Sequence, residues 1–347
     1  MNRLVTDNHK TGRDALKLLN ESHGIVAPVL FVLENQRIIG SLTDGDIRRG
    51  LLAGLQIDDS IEKFLNKNFR YFTENNWGKS EIIQLKKLNI RFVPELNFEG
   101  NFVRILDLEN QNASLPLSAV IMAGGKGERL LPLTQNTPKP LLKVGDKPII
   151  EHNIDRLIKF GINDIYISVR YLAEQLVEYF GDGRDKGCNI YYIFEDEPLG
   201  TIGALSKIEN LKNENVILLN SDLLTNIDYE DFFRVFKEEN AAMAIASTPF
   251  DINVPYAVLE FSEGKNISTF KEKPKYTYYS NAGIYLIKAD LLNRIPKNEK
   301  HDATDFLNGL LSDGFKVISE PIHGYWLDIG RIEDYFKAQE DIRYINL

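Results

Sequence analysis

Residues 123–130 read Ala-Gly-Gly-Lys-Gly-Glu-Arg-Leu, directly after the apolar run Ala119–Met122, and are followed by Pro138-Lys139-Pro140-Leu141-Leu142. In an open α/β sheet ligands sit at the carboxyl ends of strands, and glycines there let backbone N–H groups approach phosphate oxygens. Gly124, Gly125 and Gly127 supply that opening, and Arg129 and Lys139 supply positive charge beside it. The chemistry implied is the binding of a polyphosphate. Prolines at 132, 138 and 140 forbid an immediate long helix, so the segment is neither a dinucleotide fingerprint nor a Walker loop. A plain strand-to-helix turn would also account for the glycines taken alone.

A second apolar run, Val216–Leu219, ends in Asn220-Ser221-Asp222, which places a carboxylate at the carboxyl end of another strand. Such a carboxylate suits Mg²⁺, which takes few protein ligands and completes its shell with phosphates and water. Asp328, in Trp326-Leu327-Asp328-Ile329-Gly330, is the candidate for the second protein ligand. Taken singly, each aspartate also reads as a loop or helix-cap residue. The histidines, including His152, His301 and His323, have no metal-ligand spacing and read as structural or surface groups.

The elements that must position these residues fall into two parts. A chain of 347 residues with a 43% hydrophobic fraction is comfortable as two cored domains. The polar, proline-containing stretch from Glu109 to Ser118 reads as a linker, with a boundary near residue 114. Before it, residues 1–113 read as a smaller α+β domain. Helical periodicity covers Asp14–Leu19 and Ile47–Leu52, with strands at Val29–Leu33 and Arg37–Leu42. A looser second copy follows, with helical Ile61–Leu65 and Glu81–Leu88 and strands Arg91–Glu95 and Asn101–Leu106, which predicts an internal repeat. After the boundary, residues 114–347 alternate strand and helix: Ala119–Ala123, Ile149–Phe160, Ile165–Val169, Ala173–Phe180 and Val216–Asn220. Alternation of this kind predicts an α/β fold with a doubly wound, mostly parallel, Rossmann-like sheet. The last predicted element is a helix over Ile332–Ile342, with no six-residue repeats that would build a β-helix.

At this point the chain resembles the sugar-1-phosphate nucleotidylyltransferases. Their pattern is a glycine-rich loop ending in Arg-Leu, then a Pro-Lys-Pro-Leu-Leu element. Thr137-Pro138-Lys139-Pro140 with Gly145-Asp146-Lys147-Pro148 is most similar to the mannose-1-phosphate guanylyltransferases among them. The resemblance implies that the glycine loop and Arg129 hold a triphosphate, that Lys139 neutralises the departing pyrophosphate, and that Asp222 and Asp328 bind Mg²⁺. It also implies a sugar-phosphate half-site in Glu272-Lys273-Pro274 and Asn281-Ala282-Gly283. There Lys273 would grip the phosphate, and Glu272 and Asn281 would bond sugar hydroxyls or neighbouring backbone. Lys271, Lys273 and Lys275 could instead line one solvent face of a strand. Glu195-Asp196-Glu197-Pro198-Leu199-Gly200-Thr201 resembles the base-binding turn, with Gly200 giving the nucleoside access to the backbone. A carboxylate at Glu195 suits guanine, whose N1–H and N2 amine are adjacent donors, so GTP is the favoured triphosphate. Thymidylyl or uridylyl transfer stays open as the alternative, and the sugar can be mannose, glucosamine or a related hexose. The family commonly has an aromatic-glycine pair where this chain has Tyr256-Ala257, a change at the sugar pocket.

In the front part, Ile39-Gly40-Ser41-Leu42-Thr43-Asp44-Gly45-Asp46-Ile47-Arg48-Arg49 resembles the strand-to-helix junction of a cystathionine-β-synthase (CBS) domain, a module that pairs to bind adenine nucleotides. By that resemblance Thr43 and Asp46 contact the phosphate and ribose of an adenine-nucleotide effector. A helix N-cap is the competing reading of the same residues. The second copy departs from the pattern at Asp107-Leu108-Glu109. Paired modules of this kind often self-associate, so a homo-oligomer is expected. The competing readings of the whole are a catalytically inactive nucleotide-sensing subunit and a metal-dependent glycosyltransferase.

Composition bounds the partners. With 41 Lys plus Arg against 50 Asp plus Glu, a net charge of −9 argues against nucleic acid. Cys188 is the only cysteine, which excludes an internal disulfide or a thiolate metal cage. The segment MNRLVTDNHK has no apolar signal region, and no run of about 18 apolar residues occurs that could span a bilayer. A soluble, cytoplasmic protein without a membrane partner is the expectation.

Overall fold

A computed structural model describes residues 4–21, 29–74, 77–209 and 211–345. The chain divides into two compact units, Met1–Leu115 with Lys159–Gly161, and Pro116–Ile158 with Ile162–Leu347.

The first unit contains β1 (Val5–Asp7), α1 (Gly12–Glu21), β2 (Leu30–Glu34), β3 (Arg37–Leu42) and α2 (Asp44–Leu52), then β4 (Phe72–Thr73), α3 (Lys79–Lys87), β5 (Phe92–Leu96) and β6 (Phe102–Asp107). Both halves use one connectivity: the strand before the helix pairs parallel with the next strand, which then pairs antiparallel with the third. This is the internal repeat. Each half has its own core, Ala15, Leu19, Leu30, Leu42 and Ile47 in the first and Phe72, Trp77, Ile82, Val93 and Leu106 in the second. Phe31 and Ile38 pack with Leu96 and Ile105 to join them. Ile61–Phe64, expected as α-helical, is a single 3-10 turn started by the Ser60 hydroxyl. A four-residue segment has too few i→i+4 bonds to sustain an α-helix. After β6 only a 3-10 turn, Leu108–Asn110, stands where α2 stands in the first half.

The second unit is built on β7 (Ser118–Met122), β8 (Lys143–Val144), β9 (Lys147–Pro148), α4 (Ile149–Lys159), β10 (Asp164–Val169), α5 (Ala173–Phe180), β11 (Asn189–Phe194), β12 (Asn215–Asn220), β13 (Leu223–Thr225), α6 (Tyr229–Glu238), β14 (Met243–Asn253), β15 (Val258–Phe261), β16 (Ile267–Lys271), β17 (Lys275–Lys288), α7 (Ala303–Ser312), β18 (Val317–Pro321), β19 (Trp326–Asp328) and α8 (Ile332–Asp341). Its seven-stranded sheet has the order β11-β10-β7-β12-β17-β14-β18, and only β17 runs against the others. The sheet is therefore mixed but largely parallel, as the alternation of strand and helix predicts. β7 and β12 are buried along nearly their whole length, which is why they read as uninterrupted apolar runs. The first half of β17 is exposed and runs with β14 beyond the sheet, and β15 and β16 form a separate hairpin between them. Among the described residues no helix is long and apolar enough to cross a membrane.

Candidate active site

The carboxyl ends of β7, β10, β11 and β12 open into a cavity of about 750 Å³. Its lining includes Gly124, Gly125, Gly127, Arg129, Lys139, Glu195, Gly200 and Asp222, so eight of the predicted residues meet in one place. One hydrophobic cluster holds the contributing segments together. Leu130 ends the glycine loop, Leu142 ends the Pro-Lys-Pro-Leu-Leu element, Leu224 follows Asp222, and Leu327 and Ile329 flank Asp328; all pack with Ala338 of α8.

The glycines differ in what they need. A side chain at Gly125 would meet no atom of the described residues within 4 Å, so that position is left open to a ligand. Gly127 has φ +66°, and a Cβ there would come within 2.9 Å of the Lys139 Cβ. Gly200, expected to give the nucleoside room, lines the cavity and is also required by packing. Its φ is +78° and a Cβ would lie 2.5 Å from the His301 carbonyl oxygen, against which the turn packs.

Lys139 is buried, and its ammonium forms an ion pair with Asp222 Oδ2. Asp222 immediately precedes β13 and Asp328 ends β19: the two strands pair with Leu223 opposite Asp328, and the Ile329 N–H donates to the Asp222 carbonyl at 3.0 Å. The Asp328 carboxyl is held above the ordinary carboxylate range, first by burial and then by the negative charge of Asp222; Lys139 and Arg129 act in the opposite direction. Asp222 Oδ1 and Asp328 Oδ1 are each shielded from solvent with no hydrogen-bond partner among the described residues. Two orphaned carboxylate oxygens that repel each other are a donor set that a hard divalent cation satisfies. No cluster of three or more His, Cys, Asp or Glu residues able to hold a metal occurs among the described residues. A metal held by this pair would thus have its remaining positions open for phosphate oxygens and water.

Glu195 is buried at the end of β11 and locked in place. Its Oε1 accepts from the Ser168 hydroxyl and its Oε2 from the Leu199 N–H at 2.9 Å. Each carboxylate oxygen keeps a second lone-pair direction. Arg170, one residue beyond β10, also lines the cavity, and the sequence reading passed over it. The available signal was positional, because Arg170 follows a strand as Gly124 and Asp222 do.

Asp328, Glu272, Lys273 and Asn281 are not among the residues that line the cavity; Asp328 stands just behind it, two residues before the lining Gly330. Lys273 sits at φ +43° in the exposed turn between β16 and β17, so Lys271, Lys273 and Lys275 do not share one strand. A left-handed conformation at a non-glycine residue is uncommon and concentrates at functional positions. The Asn281 side chain donates to the Tyr285 hydroxyl at 2.7 Å and accepts from the Gly283 N–H at 2.9 Å. Because Ile284 pairs with Leu219, residues 281–283 lie past the end of β12, next to Asn220 of the lining. In the first unit, Thr43 and Asp46 bond each other. The Thr43 N–H and hydroxyl donate to Asp46 Oδ2 at 2.8 and 2.6 Å, and Arg49 donates to Asp46 Oδ1 at 2.6 Å. This is a capping box on α2, and Thr11 and Asp14 repeat its two hydroxyl-linked bonds at α1.

Residues 118–344 match the family model described as nucleotidyl transferase. A mannose-1-phosphate guanyltransferase of Yarrowia lipolytica is 32% identical over 232 residues, covering 64% of this chain and 63% of the relative. A UTP–glucose-1-phosphate uridylyltransferase of Synechocystis is 29% identical over 241 residues, covering 64% of this chain and 62% of the relative. A crystal structure from Bacillus anthracis, described as a candidate glucose-1-phosphate thymidylyltransferase in complex with sucrose, is 26% identical with a TM-score of 0.55. It covers 67% of this chain and 97% of that one. The chain spans less than two thirds of the length of the curated relatives it matches. With a matched stretch that takes in the whole cavity and most of the sheet around it, the chain belongs to the nucleotidyl transferase family.

Proposed function

We propose that this chain transfers a nucleotidyl group from a nucleoside triphosphate to a sugar 1-phosphate, releasing pyrophosphate. The observation that carries the reading is the cavity itself, where an open glycine loop, Arg129, Lys139 and Asp222 meet at strand ends, with Asp328 beside Asp222 on the neighbouring segment. The relatives' names, guanylyl and uridylyl transfer to hexose 1-phosphates, supply the substrate class. A phosphate oxygen of the sugar 1-phosphate attacks the α-phosphorus in line, the new P–O bond forming as the bond to pyrophosphate breaks. No general base is required, since a sugar phosphate is already ionised at neutral pH. The protein's part is orientation and charge neutralisation. The glycine loop N–H groups and Arg129 hold the triphosphate, Lys139 stands beside the departing pyrophosphate, and Lys273 takes the sugar phosphate. Glu272 and Asn281 bond the sugar side of the pocket. Asp222 and Asp328 would hold Mg²⁺, which would supply positive charge to neutralise the phosphates.

GTP is the triphosphate we favour, with mannose 1-phosphate or glucosamine 1-phosphate as acceptor. Glu195, fixed by Ser168 and Leu199, has lone pairs left for guanine N1–H and the N2 amine. For the first unit we propose a regulatory CBS-like pair taking an adenine nucleotide at Thr43 and Asp46. The residues that line the cavity all belong to the second unit. Assaying GTP, UTP and dTTP against several hexose 1-phosphates tests the assignment. GDP-sugar as the main product supports it, and a preference for UTP or dTTP overturns the choice of base.

A further inference from the structure

Arg170 is half-buried in the cavity lining, and among the described residues its guanidinium has no ion pair and no hydrogen bond. Five N–H donors that are partly withdrawn from water and unmatched call for acceptors from outside the chain. Its position says which part of a ligand would provide them. At one end of the glycine loop, a Cβ on Gly124 would lie 2.9 Å from Glu195 Oε1 and 3.5 Å from the Arg170 Cβ. At the other end, Gly127 abuts Lys139, whose ammonium pairs with Asp222. The strand order β11-β10-β7-β12 gives the same division: Glu195 and Arg170 follow the strands on one flank of the loop, Asp222 the strand on the other. Phosphates belong with Lys139 and the aspartate pair. The flank that holds Glu195 and Arg170 is left for the nucleoside.

A guanidinium fork matches two adjacent acceptors. Guanine offers that pair, O6 and N7, on the edge next to its N1–H and N2 donors, whereas uracil and thymine have no two adjacent acceptors. We infer that Arg170 is a base-reading residue that donates to guanine O6 and N7 while Glu195 accepts from the neighbouring donor edge. The inference rests on the guanine reading proposed above and assigns it a second determinant. A carboxylate alone separates guanine from the pyrimidines on one edge; the pair reads two.

Two analogues separate the contacts. 7-Deaza-GTP lacks the N7 acceptor, and inosine triphosphate lacks the N2 amine. Wild-type kcat/KM is expected to fall about five- to tenfold with 7-deaza-GTP relative to GTP, the effect of one lost hydrogen bond to a charged donor. In Arg170→Ala the two nucleotides become equivalent while the penalty for inosine triphosphate remains. Arg170→Lys, which keeps the charge without the fork, narrows the GTP to 7-deaza-GTP ratio. A wild-type ratio of one overturns the assignment without recourse to any variant. So does an Arg170→Ala enzyme that loses GTP and 7-deaza-GTP turnover equally, the behaviour of a phosphate contact. Preference for UTP or dTTP would overturn the guanine reading and this assignment with it, and absence of pyrophosphate from every triphosphate would instead overturn the transferase reading.

Discussion

Single residues carry the chemistry proposed here, and their environments make separable predictions. Asp222→Ala and Asp328→Ala should each lower turnover about a hundredfold or more, since each removes a charge at the phosphoryl-transfer centre. Circular dichroism should find the fold retained, and near-normal activity in either variant contradicts the pair. Asp328 also predicts a pH dependence. Its folded-state pKa is raised, so the folded protein binds the proton more tightly than the unfolded chain does. That contribution is full below the unfolded carboxylate value and is lost as pH rises through the raised one. Without added metal, Asp328→Asn should therefore melt a few degrees above wild type at pH 7, and the gap should close toward about pH 4. Mg²⁺ should narrow the gap at pH 7 by stabilising only the wild type. A gap that is constant across pH contradicts the account of the aspartate pair. In the sequence Asp222 stood out because it follows the apolar run Val216–Leu219, and Asp328 because residues 326–330 resemble the family's second aspartate context. Arg170 follows an apolar run too, but as an isolated arginine after Val169 it carries no motif, and only the strand order brings it beside Glu195.

At the scale of elements, the glycine loop and the 195–201 turn make a contrasting pair. Gly125→Ala meets no atom of the described residues, so its thermal midpoint should match wild type while KM for the triphosphate rises roughly tenfold. Gly200→Ala carries both a left-handed backbone and a clash with the His301 carbonyl oxygen, so it should lose about 2–4 kcal/mol of stability. Urea unfolding and steady-state kinetics on the two variants distinguish a ligand-facing glycine from a packing one. This distinction was not legible in the sequence, where both read as glycines that admit a nucleotide. What was legible were elements whose burial imposes a period. β7, β10 and β12 are buried on both faces and read as apolar runs, and α5 shows its ends at Ala173 and Phe180. The reversed β17 was not, because its first half, Lys275–Asn281, is exposed and mixes tyrosines with polar residues, and its direction depends on pairing with the distant β12.

For the whole molecule, the sequence pattern predicts two parts, but it does not reveal the purpose of the first. Thr43 and Asp46 are engaged with each other, so an effector there must replace the capping box or bind around it. Calorimetric titration of AMP, ADP and ATP into wild type and Asp46→Ala should give binding that the variant weakens. Coupling to turnover should shift substrate affinity about five- to 150-fold, with the reciprocal effect on the effector. Identical isotherms for the two proteins would leave Thr43 and Asp46 as capping residues alone. The central claim is tested most directly on the wild type. GTP, Mg²⁺ and a hexose 1-phosphate are incubated with the protein, and pyrophosphate and nucleotide sugar are quantified together. The account predicts pyrophosphate and GDP-hexose in equal amounts, with neither formed when the sugar phosphate is omitted. Pyrophosphate release that is independent of the sugar phosphate, or none from any triphosphate that the protein demonstrably binds, would contradict it.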